Sequence, residues 1–143
     1  MGVLGPSSEA GGHGTLVMLP IKTRLVMTHF HEVIGDLRQP TRAFRSAAPE
    51  AWSGFTDLHA AAVADGAVPA HVKELVALAI GVIQHCDGCV AYHAKAAAAK
   101  GASREETAEV LAVTLLMGGG PSSVWAPRAL AAFDEFAEQQ VPA

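Results

Sequence analysis

The chain has 143 residues, enough for one domain with a real hydrophobic core, and half of them are hydrophobic. Its net charge is −4, with ten Lys and Arg spread thinly, so it lacks the clustered basic face that nucleic-acid binding requires. No apolar run approaches the roughly 20 residues that span a bilayer; the longest, Leu75 to Ile83, is bracketed by Glu74 and Gln84. Neither a nucleic-acid nor a membrane partner is expected, and the apolar excess is assigned to a core and a subunit interface.

Residues 1–27 are rich in Gly, Ser and Pro and lack the basic start, apolar stretch and cleavage site of a signal peptide. They are expected to be a flexible tail, a cloning remnant or a start-site extension, Met27 being an alternative start. The folded domain is expected over residues 28–143, in the cytoplasm. In that compartment two cysteines three apart point to reactivity or metal binding rather than to a structural cross-link.

Strand signals are nearly absent, and Ala-rich segments with a period of 3.6 residues dominate. The pattern therefore predicts an all-α fold. A first helix is expected over about Pro49 to Ala64, with Trp52, Phe55, Leu58 and Ala62 down one side. Asp65-Gly-Ala-Val-Pro69 reads as its stop, with Gly at the cap and Pro opening the next segment. A second helix, about Ala70 to Ile83, is apolar nearly all round after Lys73 and Glu74, which predicts burial. Gln84 to Gly88 is a poor helix continuation and predicts a break. A third helix then runs to about Lys100, where Gly101 ends it. Ser103 and Glu106 have capping-box spacing and open a fourth helix through Met117. Gly118-Gly-Gly-Pro121 reads as a loop, and the last helix falls within Ser122 to Gln140, with Pro127 kinking it or marking its start. His13, His29 and His31 lie in a stretch without clear pattern, and His59 and His71 read as ordinary helix-surface or helix-start residues.

Cys86, Cys89 and His93 stand at i, i+3 and i+7 and share one face of a helix. Two cysteines so spaced have Cα atoms within disulfide reach, roughly 5–6 Å. Such a bridge closes a very small loop and adds little entropic stability, which suits redox cycling better than stapling. If the helix begins near Asp87, its free N–H groups and dipole favour a thiolate on the first turn. His93, four residues after Cys89, is placed to take its proton. Glu74 would lie roughly 18 Å from Cys86 in an unbroken helix, but a break at 84–88 lets it approach His93. The alternative is an exposed first-turn Glu favoured by the dipole.

Other readings of the same residues are two buried cysteines acting as small hydrophobes, and a zinc site of Cys86, Cys89, His93 and His85. Zinc sites usually join two separated ligand pairs, and no second pair exists here. Haem attachment is excluded because Val90, not His, follows Cys89, and no βαβ pattern supports a thioredoxin-type domain. No metal and no other cofactor is expected.

The stretch from Lys73 to His93 resembles the core of the AhpD-like alkylhydroperoxidases of the carboxymuconolactone decarboxylase superfamily. The shared pattern is a Glu twelve residues before a CxxC and a His four after it, filled here by Glu74, Cys86, Cys89 and His93. Gly101 to Glu106 and Met117 to Pro121 match as well, so the likeness covers about residues 44 to 136. The resemblance implies an all-α fold assembled as a homo-oligomer, a trimer or hexamer. It also implies a peroxidase in which Cys89 attacks a hydroperoxide, Cys86 resolves the sulfenic acid as a disulfide, and Glu74 and His93 relay protons. A dithiol reductant, such as a lipoyl-carrying protein, would complete the cycle. The resemblance also implies a His between the cysteines, as in the best-known members of that family. Gly88 stands there in this chain, and His85 is a candidate substitute in the relay. Two readings from other classes are a lyase acting on a lactone acid, as in the superfamily's namesake, and a non-catalytic redox-sensing oligomer.

Overall fold

The computed structural model describes residues 29–140, and the expectations for residues 1–27, including His13, lie outside them. Five helices run in order: α1 (His29–Ala47), α2 (Pro49–Ala62), α3 (Ala70–Ile83), α4 (Asp87–Ala99) and α5 (Arg104–Ala137), with a closing 3-10 turn at Glu138–Gln140. No strand occurs among the described residues. The all-α expectation holds, and α2, α3 and α4 match their expected spans to within about two residues.

Helix α1 was not foreseen, and its causes are partly local and partly distant. Phe30, Ile34 and Leu37 recur at helical spacing, and the first two are buried. Its first turn is held by a residue more than 100 positions away. The Glu135 carboxylate accepts the backbone N–H of Phe30 at 3.2 Å and of His31 at 2.9 Å, and also contacts the His31 ring. An anion there satisfies free N–H groups and complements the helix dipole.

The core lies between α3, α4 and α5, with α1 laid across it. Leu75, Leu78 and Val82 of α3 meet Val90, Ala91, Ala94 and Ala97 of α4, and Leu111, Ala129 and Phe133 of α5. Alanines along the inner face of α4 leave little side-chain bulk between it and its neighbours. Helix α3, expected to be buried all round, is not: Val76, Ile80 and Ile83 are exposed in the single chain. In α2, too, Phe55 and Leu58 of the expected apolar side are exposed, and no residue is fully buried. The α2 end also differs in detail. Val63 caps it rather than Gly66, and Pro69 is the N-cap of α3.

The expected loop at Gly118–Pro121 is tighter than a loop. Only Gly119 leaves helical geometry, at φ 57° and ψ −134°, a conformation open to glycine. There the chain reverses, as the pairing of Arg104 near one end of α5 with Asp134 near the other shows, at 2.8 and 3.2 Å. Pro121 falls in the first turn after the reversal, where a missing N–H costs nothing. By length and composition α5 passes for a membrane span, but the reversal divides it into two arms, each shorter than about 20 residues. Its first arm opens with the expected capping box: Ser103 Oγ accepts from Glu106 N–H, and Glu106 accepts from Ser103 N–H.

Candidate active site

The break between α3 and α4 builds the site. His85 takes a left-handed conformation, φ 55°. Its N–H donates to the Val82 carbonyl, and the N–H of Cys86 donates to the Gly81 carbonyl. This is a Schellman closure with histidine where glycine is usual. It turns the chain so that Cys86 becomes the N-cap of α4, its sulfur accepting the Cys89 N–H at 3.2 Å. Cys86 and Cys89 form a disulfide with Cα atoms 5.2 Å apart, and both are partly buried. Because the bridge spans the first turn of α4, a thiolate released from Cys86 meets the positive end of the helix and a backbone donor.

The turn is braced from outside. The His85 ring stacks on Trp125, with centroids 5.5 Å apart. The Arg128 guanidinium lies 4.3 Å from the Trp125 ring centre and pairs with Asp87 at 2.8 Å. His85 is thereby held at the turn and makes no side-chain hydrogen bond to the cysteines, Glu74 or His93.

Crossing of α3 and α4 brings Glu74 to His93. Glu74 is only 1% exposed, and its Oε2 accepts from His93 Nδ1 at 2.7 Å. Its other oxygen accepts from Lys100 Nζ at 2.6 Å. Burial opposes ionisation of this carboxyl, but hydrogen bonds and charge from Lys100 and His93 outweigh it, so its pKa falls below the usual carboxylate value. An ionised Glu74 accepts the Nδ1 proton and leaves His93 Nε2 as the basic nitrogen.

Two members of this cluster went unrecognised in the sequence. Lys100 reads there only as the end of a helix. His59 reads as a surface residue, and it is exposed, yet its ring stacks on that of His93 with centroids 6.0 Å apart. A 3.6 period cannot relate residues on three different helices, so no sequence signal was available for His59. For Lys100 there was one: it caps α4 seven residues after His93, the spacing that continues the same helix face.

Ligand atoms of His59, Glu74 and His93 lie within 4.8 Å of one another, and two imidazoles with a carboxylate suit a divalent transition metal. Both oxygens of Glu74 are, however, already engaged, and Lys100 supplies the neutralising cation. The zinc set weighed from sequence is not assembled, since the cysteines are bonded to each other and His85 faces Trp125.

Fold and site together define an all-α protein with a cysteine pair at a helix start and, on the same helix pair, His93 and Lys100 held on the buried carboxylate of Glu74. The chain belongs to the carboxymuconolactone decarboxylase family, whose model matches residues 49–135. It is 45% identical over 114 residues to an uncharacterized protein of Cupriavidus necator, covering 80% of this chain and 93% of that one. It is 35% identical over 81 residues to uncharacterized protein 4 of the cox locus in Paracoccus denitrificans, covering 57% and 73%. Among solved structures it is similar to an apo carboxymuconolactone decarboxylase family protein of Legionella pneumophila, with a TM-score of 0.74 and 39% identity over 77% of this chain and 98% of that one.

Proposed function

We propose that the protein is a thiol peroxidase of the alkylhydroperoxidase type. The observation that carries this reading is the hydrogen bond from His93 to buried Glu74 of α3, His93 lying on α4, the helix that the cysteine pair opens. His93 stands one turn beyond Cys89, within reach of its thiol proton once the disulfide is reduced.

In the proposed cycle His93 Nε2 takes the Cys89 proton. The thiolate attacks the terminal peroxide oxygen and breaks the O–O bond. The alkoxide leaves, takes a proton and becomes an alcohol, while Cys89 becomes a sulfenic acid. Cys86 thiolate then attacks that sulfur and expels hydroxide, which is protonated to water, and the disulfide forms. An external dithiol returns both electrons by exchange, and Cys86, whose sulfur caps the start of α4, is a good leaving thiolate in that step. Cys89 is thus the attacking residue, Cys86 the resolving one, and Glu74 the group that fixes the His93 tautomer. Lys100 keeps Glu74 ionised.

The apolar side chains left exposed in one chain, Val76 and Ile80 of α3 and Leu116 and Met117 of α5, support assembly of several copies. A cytoplasmic setting, where dithiol donors are abundant, completes the reading.

The test is peroxide consumption with a panel of dithiol donors, including reduced lipoyl carriers. Cys89→Ser is expected to stop turnover. Cys86→Ser is expected to permit one turnover and leave a sulfenic acid that dimedone traps. Full activity in the double variant would sink the reading, and lactone-acid decarboxylation surviving in that variant would replace it with the lyase.

A further inference from the structure

A cleft of about 530 Å³ lies between α1 and α4, lined by Arg38, Thr41, Arg42, Arg45 and Ser46 of α1 and by Tyr92 of α4. All six side chains carry hydrogen-bond donors, although the Ser46 hydroxyl donates to the Arg42 carbonyl at 3.2 Å, and three carry a fixed positive charge. Arg38, Arg42 and Arg45 recur at i, i+4 and i+7, so they line one face of α1. None of the three pairs with a carboxylate among the described residues; Arg45 alone has a ring contact, its guanidinium 5.8 Å from the Trp52 ring centre. Like charges on adjacent turns repel, and arginines arranged this way present their forks to whatever enters the cleft.

Two relationships, one along α1 and one along α4, link this lining to the reactive pair. Leu37, next to Arg38, packs on Gly88 between the cysteines, where an added Cβ would lie 2.9 Å from Leu37 Cδ1. Tyr92 is three residues beyond Cys89, which places their Cβ atoms about 5–6 Å apart on α4.

We propose that this cleft is a subsite for the oxyanion, carboxylate or phosphate, of a small organic substrate whose reacting end reaches Cys89. A planar guanidinium fork suits either group, and the volume fits a small molecule rather than a chain. In its kinetic form the proposal rests on the peroxidase reading, naming the substrate class as anionic hydroperoxides. The binding itself does not depend on turnover.

Calorimetry on the oxidised protein with 4-isopropylbenzoate and its neutral amide separates the two. The benzoate is expected to bind about tenfold tighter, and inorganic phosphate is expected to compete with it. Phenyl phosphate binding tighter than benzoate assigns a phosphate ester, and the reverse assigns a carboxylate. In Arg38→Gln/Arg42→Gln the preference for benzoate over amide is expected to collapse towards one, and Arg42→Lys, which keeps the charge, should lose less of it. In turnover, cumene hydroperoxide and its para-carboxylate form the matched pair, and the preference for the carboxylate should appear in KM. Equal binding of benzoate and amide by the unaltered protein, or a preference that survives the double variant, overturns the subsite. Selective binding with no turnover of either peroxide leaves the subsite standing and removes the peroxidase.

Discussion

Gly81 of α3 lies against Cys89 of α4 so closely that a Cβ on Gly81 would stand 3.1 Å from the Cβ of Cys89 and 3.4 Å from the backbone nitrogen of Val90. The same glycine's carbonyl accepts the Cys86 N–H at 3.0 Å. One residue thus supports both cysteines, by a carbonyl on one side and by an absent side chain on the other.

Gly81→Ala is expected to push α3 and α4 apart at the cysteine pair. Alanine favours the helix by up to about 1 kcal/mol, but overpacking against backbone costs about 1–3 kcal/mol. A net loss of about 1 kcal/mol in urea denaturation is expected, together with slower reoxidation of the dithiol. A more stable variant with unchanged reoxidation would show that the helices yield easily there.

Glu74→Gln keeps the shape of the side chain and removes its charge. Lys100, whose side chain is one-third exposed, can turn to water, so the cost is expected below the 3–5 kcal/mol of a fully buried broken pair, at about 2 kcal/mol. Without the carboxylate the His93 tautomer is no longer fixed. Peroxide turnover is expected to fall about a hundredfold, with an altered pH profile, and kcat/KM measured against pH decides it.

The lowered pKa of Glu74 also sets a pH dependence of stability. Its folded value lies below its unfolded one, so its contribution is fully present above the ordinary Glu value of about 4.3 and is lost as pH falls through the folded value. Denaturation midpoints of the wild type and Glu74→Gln should therefore differ at neutral pH and converge in acid, below about pH 4. Parallel curves across that range would exclude Glu74 as the titrating group.

Gly88→His tests the position between the two cysteines. The obstacle is Leu37 Cδ1, the free end of a flexible side chain, so the expected cost is about 1 kcal/mol. Adding Leu37→Ala should remove the clash while opening a small gap. Thermal melts of the single and double variants, read as a cycle, should show a favourable coupling between the two changes.

Much of the local structure was legible because its causes are local. The break at 84–88, the capping box of Ser103 and Glu106, and the shared face of Cys86, Cys89 and His93 all arise from hydrogen bonds and side-chain spacing within one or two turns. The stripe of Phe30, Ile34 and Leu37 was equally local, but Pro40 within α1 and the patternless stretch before it concealed the helix. A sharp stop and a hairpin of helices differ by one glycine's dihedral angles, so Gly118–Pro121 could be read only as an interruption.

By itself, then, the sequence determined an all-helical chain, the breaks that open α3, α4 and α5, and two cysteines within bonding reach, since backbone hydrogen bonding and periodicity act over four residues. The tertiary structure decided the rest. Only the crossing of α3 and α4 turned Glu74 from a first-turn residue into the buried partner of His93 and Lys100. Only the placement of α2 brought His59 beside them, and only the lie of α1 set three arginines around one cleft with Tyr92 of α4. Those contacts join residues far apart in sequence, and their geometry depends on which apolar faces bury one another.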